Sequence, residues 1–177
     1  MEPLRAFTSH RDRQEPSRAT VLFMSPADMS GTIAVAADHG GFDYKNRIAA
    51  MLRSEGYEVV DFGTNSAEST DYPDYAHRAA EAVSSGRAET AIIVCGSGIG
   101  VSIVANKSHG VRAANCLTTE MARLAREHNH ANVLTLGQRL IGWETARDIV
   151  HVFLDTPPSH DERHERRVAK IHDLTKC

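Results

Sequence analysis

After Val94 the chain reads Cys95-Gly96-Ser97-Gly98-Ile99-Gly100, a thiol followed at once by three glycines around a serine. An apolar run precedes this segment and a helix-like stretch follows it. Backbone N–H groups bared by glycine, together with a helix N-terminus, form a cradle for an anion. The segment lacks the closing Lys-Ser/Thr of a P-loop. Nor is it the dinucleotide fingerprint, whose glycines follow the first strand of the fold. A tight strand-to-helix turn is the plain structural alternative. Cys95 sits at the strand end beside those amides, where a thiol can be held as reactive thiolate. Read alone, it also fits an inert core residue, since free cysteines are commonly buried.

Other reactive types occur at the ends of elements. Asp38-His39 stands ahead of Gly40-Gly41, where the carboxylate can hold a sugar hydroxyl and the imidazole can serve as acid–base or phosphate contact. Capping the next helix is the simpler use. His128-Asn129 closes a helical stretch, so His128 is a proton shuttle or a complement to the helix dipole. Arg163, Arg166 and Arg167 lie in the last helix. Arg163 and Arg167 share a face by i,i+4 spacing and can grip a phosphate in bidentate fashion, or they belong to a solvated surface with Glu162 and Glu165. Cys116 has the character of an inert core residue, and terminal Cys177 has no evident role.

The 177 residues make one domain the default. A net charge of −3 argues against a nucleic-acid partner, which calls for a basic surplus. Three cysteines, none in a CxxC pair, are neither a disulfide framework nor a zinc site, and free thiols fit a reducing cytoplasm. No apolar run is long enough for a membrane span. Residues 1–30 stand apart: Arg5, Arg11, Arg13 and Arg18 among Ser, Pro and Gln predict a disordered extension, with the folded domain over residues 31–177. Val21–Met24 is too short for a signal-peptide core. Glu2, Glu15 and Asp28 argue against a transit peptide, and Met29 offers an alternative start.

The elements that must position the reactive groups follow a regular rhythm. Strands are predicted at Thr32–Ala37, Tyr57–Phe62, Thr90–Val94, Val111–Asn115 and Asn132–Leu136. Helices are predicted at Phe42–Ser54, Tyr75–Ser84, Ile99–Lys107, Thr118 or Thr119 through His128, Trp143–Leu154 and Asp161–Leu174. Short apolar strands alternating with helices imply a parallel sheet covered on both faces. The expected architecture is a three-layer, Rossmann-like, doubly wound α/β fold with a five-stranded parallel sheet and a C-terminal helix. Such sheets bind ligands beyond the carboxyl ends of their strands, where Asp38-His39, the glycine loop, Cys116 and Gly137-Gln138-Arg139 fall.

An ordered set of motifs runs through this frame: Ala37-Asp38-His39-Gly40-Gly41-Phe42, Thr70-Asp71-Tyr72-Pro73, Cys95–Gly100, Ala105-Asn106-Lys107, Gly110-Val111-Arg112-Ala113, Arg126-Glu127-His128-Asn129, Asn132-Val133-Leu134, Gly137-Gln138-Arg139 and Arg163–Val168. In this order they resemble the ribose-5-phosphate isomerase B family of sugar-phosphate isomerases, over roughly Thr32 to Leu174. The resemblance implies aldose–ketose interconversion of ribose 5-phosphate and ribulose 5-phosphate through a cis-enediolate, with no metal or organic cofactor. Cys95 matches the base that moves a proton between C1 and C2, and Ser97 the hydroxyl that works on the adjacent oxygen. The amides of Gly96, Gly98, Ile99 and Gly100 match the enediolate cradle, and His128 matches the group that opens the furanose ring. Asp38, His39 and Asn129 match sugar contacts. Arg139, Arg163 and Arg167 match substrate and phosphate contacts, with Arg112 and His164 as weaker candidates for the anion.

One branch of the family replaces the cysteine with a glutamate just after the loop. Here that neighbour is Val101, so the chain resembles the cysteine branch. The resemblance also implies a homodimer or homotetramer with composite active sites. Three other readings stay open: a different sugar phosphate (allose 6-phosphate, galactose 6-phosphate or erythrulose 4-phosphate), a non-catalytic phosphate or nucleotide sensor, and thiol hydrolysis by a Cys95–His128 pair.

Overall fold

Five strands and six helices alternate through residues 31–176, the part of the chain described by the computed structural model. The expected N-terminal extension and Cys177 lie outside the described residues. The strands are β1 (Ile33–Ala37), β2 (Val59–Asp61), β3 (Thr90–Cys95), β4 (Ala113–Asn115) and β5 (Val133–Gly137). The helices are α1 (Phe42–Ser54), α2 (Tyr72–Ser84), α3 (Ile99–Ala105), α4 (Thr119–Asn129), α5 (Trp143–Asp155) and α6 (Glu162–Thr175). All pairings are parallel, in the order β2-β1-β3-β5-β4.

The three central strands are buried along their whole length, as continuous apolar runs require when both faces of a sheet are covered. On one face Val35, Ile92, Val94, Leu134 and Leu136 pack with Ile48 and Leu52 of α1 and Ile149 and Phe153 of α5, with α4 beside them. On the other, Ala34, Ala36, Ile93 and Cys95 meet Ala76, Ala79 and Ala80 of α2 and Val101 of α3. These are the three expected layers. Helix α6 stands outside them and packs on α4, burying His164 and Val168.

Two differences from the sequence reading have local causes. Strands β2 and β4 are three residues each, shorter than expected, because each is an edge strand and pairs on one side for only three register positions. Helix α2 begins at Tyr72 rather than Tyr75, with Asp71 before it and Pro73 in its first turn. Proline fits there because first-turn N–H groups have no intrahelical acceptor. Among the described residues no helix is long and apolar enough to cross a membrane.

One charge lies inside the α1 layer. Lys45 is 1% exposed, and its Nζ donates to Asp61 Oδ2 at 2.5 Å across the β2 edge. Removing one partner of such a pair strands the other charge, whereas an apolar replacement of the buried member does not. Asp61→Ala is therefore expected to cost about 3 kcal/mol and Lys45→Met under about 1 kcal/mol in urea unfolding. Equal losses would show that the pair acts by packing alone.

Candidate active site

The site is built where β1, β3 and β5 end side by side. Strand β3 delivers Cys95 opposite Gly137 of β5, and the next residues turn back into α3. Gly98 makes that turn at φ +78°, and a Cβ there would stand 2.2 Å from Asn115 Oδ1 and 2.9 Å from the Leu136 carbonyl carbon. The close approach of β5 leaves room for glycine only. Within the turn the Gly98 N–H donates to Cys95 Sγ at 3.0 Å, and the Ile99 N–H donates to Ser97 Oγ at 3.3 Å. Cys95 is 5% exposed, so its sulfur sits in a sheltered floor as a hydrogen-bond acceptor.

The flanking loops close on this turn. A Cβ on Gly40 would lie 3.0 Å from the Gly96 nitrogen, so the loop after β1 touches the loop after β3. Asp38 caps the 3-10 turn of that loop, its Oδ1 accepting the Gly40 N–H at 3.0 Å. His39 Nδ1 lies 3.9 Å from Asp38 Oδ2 and accepts the Thr70 N–H at 3.2 Å. From the other side, the exposed Arg139 reaches over the glycine loop. Its Nε and guanidinium carbon lie 3.4 Å from where a Gly96 Cβ would stand, and its own N–H donates to Gly96 O at 3.0 Å. Asp38, His39, Cys95, Gly96, Ser97, Gly98, Ile99, Gly100 and Arg139 thus form one cluster.

His128, Asn129, Arg163 and Arg167 are not part of it. Helix α4 runs back against the strands, and the chain enters β5 just after it. Val133 pairs with Ala91, four residues before Cys95 on β3, and four residues of strand span about 13 Å. His128 and Asn129 therefore sit at the amino edge of the sheet, with Ser159 N–H bonded to Glu127 O and α6 starting beside them. Within a single chain Cys95 and His128 thus lie toward opposite ends of the strands. A Cys95–His128 nucleophile–base pair inside one chain is excluded by the same distance.

Arg112 is also reassigned. Its guanidinium donates to the carbonyls of Asn129, His130 and Gly110 and lies 2.8 Å from His172 Nε2. It caps the C-terminus of α4 rather than facing an anion. Four residues without a role in the sequence reading help build the cluster. The Tyr72 ring lies against Gly100, Asn115 Nδ2 donates to Ser97 O at 3.4 Å, Thr70 holds His39, and Gln138 Oε1 accepts the Tyr44 N–H at 2.9 Å. Thr70, Tyr72 and Gln138 stood inside matched motifs; the reach of Asn115 is a tertiary fact with no local signal.

Cys116 is 1% exposed, and burial pushes its thiol up to about 11. At pH 8 only about one Cys116 thiol in a thousand is ionised, so Cys116 is expected to resist iodoacetamide in the folded protein, read by peptide mass spectrometry. Fast labelling would show that the pocket opens. Gly98→Ala is expected to lower stability by about 1–3 kcal/mol in chemical unfolding and to abolish activity; a fully active variant would show that the turn adapts.

A family model described as Ribose/Galactose Isomerase matches residues 33–171. The chain is 45% identical over 139 residues to ribose-5-phosphate isomerase B of Escherichia coli, covering 78% of this chain and 93% of that one. It is 42% identical over 125 residues to D-erythrulose-4-phosphate isomerase of Pectobacterium atrosepticum, covering 70% and 82%. The solved structure of Clostridium thermocellum ribose-5-phosphate isomerase B superposes with a TM-score of 0.80 at 48% identity, covering 82% of this chain and 97% of that one. With the glycine loop, the strand-end thiol and the five-stranded parallel order all in place, the chain belongs to the ribose/galactose isomerase family.

Proposed function

We propose that this protein interconverts D-ribose 5-phosphate and D-ribulose 5-phosphate, the aldose–ketose step of the non-oxidative pentose phosphate route, with Cys95 as the base. The observation that carries this is the Cys95 sulfur at the end of β3, held by the Gly98 N–H and overhung by Arg139. A hydrogen α to a carbonyl is removed only where a base is positioned and the oxyanion has a preorganised home. Cys95 takes the C2 proton of the open-chain aldehyde, negative charge moves onto O1, and the proton returns at C1. Ser97 moves the hydroxyl proton between O2 and O1. Because the Gly98 and Ile99 N–H groups are already engaged inside the turn, the enediolate falls to those of Gly96, Ser97 and Gly100. Asp38 and His39 hold sugar hydroxyls, and Arg139 contributes positive charge. The free thiols of Cys95 and Cys116 suit a cytoplasmic enzyme.

Ribose 5-phosphate is largely a furanose and must open first. As the C1–O4 bond breaks, one proton leaves O1 and one reaches O4, work suited to an imidazole. His128 takes this part, with Asn129 on the sugar and Arg163 and Arg167 on the phosphate. Since these residues lie about a strand length from Cys95, the active enzyme is a homodimer in which one protomer supplies the thiol half-site and its partner the His128 half-site. Ile99 and Ile103, 55% and 58% exposed at i,i+4 on α3 beside the glycine loop, supply apolar surface for that contact.

The identity to an erythrulose-phosphate isomerase supports a second reading in which the same chemistry acts on a tetrulose phosphate. Assaying both sugars decides: pentose phosphate is expected to be preferred in kcat/KM, and the reverse order would transfer the assignment. Cys95→Ala is expected to lower isomerisation by at least about 10²–10⁴-fold while still binding substrate; wild-type turnover would remove the thiol from the mechanism. The split site has its own test. A doubly tagged heterodimer of Cys95→Ala and His128→Ala contains one intact composite site and is expected to show about half the wild-type activity per dimer. An inactive heterodimer would mean that each site is built within one chain.

A further inference from the structure

His164 of α6 has no part in the chemistry above, yet it is held with unusual definition. Its ring is 5% exposed and lies flat on His128, centroids 4.2 Å apart and planes 4° from parallel. The Arg163 Nε–H donates to His164 Nε2 at 3.2 Å, so that nitrogen is an acceptor and the ring is neutral. Burial, then the nearby His128 and Arg163, push His164 below the ordinary histidine range, in keeping with that neutral form. A ring so placed, with Nε2 engaged, does not face an incoming phosphate, which removes the basis for counting it among the anion contacts.

The surroundings explain how the ring is fixed. Asp161 caps α6, its Oδ1 accepting the Arg163 N–H at 2.9 Å while Oδ2 pairs with Arg163 Nε at 3.2 Å. Ser159 ties the start of α6 to α4 through Glu127 O, and His130 Nε2 lies 2.8 Å from Ser159 O. On the α4 side His128 Nε2 lies 3.9 Å from Glu127 Oε2, but that oxygen is already held by Arg123 Nη1 at 2.5 Å. His128 is part-exposed and therefore reachable by substrate, with the flat, buried His164 ring stacked against it.

We propose that His164 is a positioning residue for ring opening: its buried ring is the platform that fixes the plane of His128, so that the imidazole meets O1 and O4 of the furanose in line. This rests on the reading of His128 given above. Holding a proton-transfer group in its reactive plane is a large part of catalysis, and small misplacements cost up to about 100-fold.

The experiment separates ring opening from proton transfer at carbon. Ribulose 5-phosphate cannot form a furanose because its O5 is phosphorylated, so uptake of solvent deuterium at its C1 reports the Cys95 step alone: one C–H breaks and one C–D forms. His164→Ala is expected to lower kcat for ribose 5-phosphate about 10- to 100-fold and to leave deuterium uptake into ribulose 5-phosphate near the wild-type rate. His164→Phe, which keeps a flat ring, is expected to restore most of kcat. The stack itself is read without catalysis: the His128 ring-proton resonances shift in His164→Ala and return toward wild type in His164→Phe. Equal loss of both reactions, absence of any loss, failure of the Phe variant to rescue, or unmoved His128 resonances would each overturn the proposal. If wild type turns over neither sugar while the resonances behave as expected, it is the reading of His128 as ring opener that has failed, and the catalytic role of His164 falls with it.

Discussion

The structure depends on how closely two pieces of backbone approach one another at the carboxyl ends of β3 and β5. Gly98 turns at positive φ directly against the Leu136 carbonyl, and a Cβ on Gly137 would stand 2.6 Å from the Ser97 carbonyl. These contacts are backbone on backbone, so no side chain can give way. They hold the turn tight enough for the Gly98 N–H to reach the Cys95 sulfur, and they bring Arg139 over Gly96 through the paired bonds Gln138 N–H to Cys95 O and Arg139 N–H to Gly96 O. The thiol is placed by the sheet, which is rigid, rather than by a loop.

The sheet also determines what cannot be near the thiol. A helix that follows a parallel strand returns along it, so its last residues lie at the amino edge of the sheet. His128 closes α4 and is carried there by necessity. The same geometry that fixes Cys95 therefore keeps the two groups of residues in the proposed mechanism apart, the Cys95 cluster at one end of the strands and His128 at the other. The homodimer proposed above is the arrangement that would reconcile the halves, since an isologous pair completes two sites at once.

Helix α6 is an addition with its own economy. Only His164 and Val168 are buried along it, and its arginines stay in solvent. The histidine stack thus helps to seat the helix on α4.

Much of this was legible in the linear chain. Short apolar runs at Thr32–Ala37, Thr90–Val94 and Asn132–Leu136 predict buried parallel strands because covering both faces leaves no polar alternation. Cys95–Gly100 announces a strand-to-helix turn with bared amides because glycine alone tolerates the conformation and the contact. Edge strands read too long, since their ends are set by the length of a partner and not by their own residues. Pro73 hid the first turn of α2. Arg112 looked like an anion contact because a sequence cannot say that three carbonyls already occupy its guanidinium. What the chain determined by itself is the kind of chemistry and the elements that carry it, because residue type and period are local properties. What only the tertiary structure decided is which groups meet: the Tyr72, Asn115 and Gln138 contacts, the His128–His164 stack, and the separation of His128 from Cys95, all of which depend on the direction in which each helix returns along the sheet.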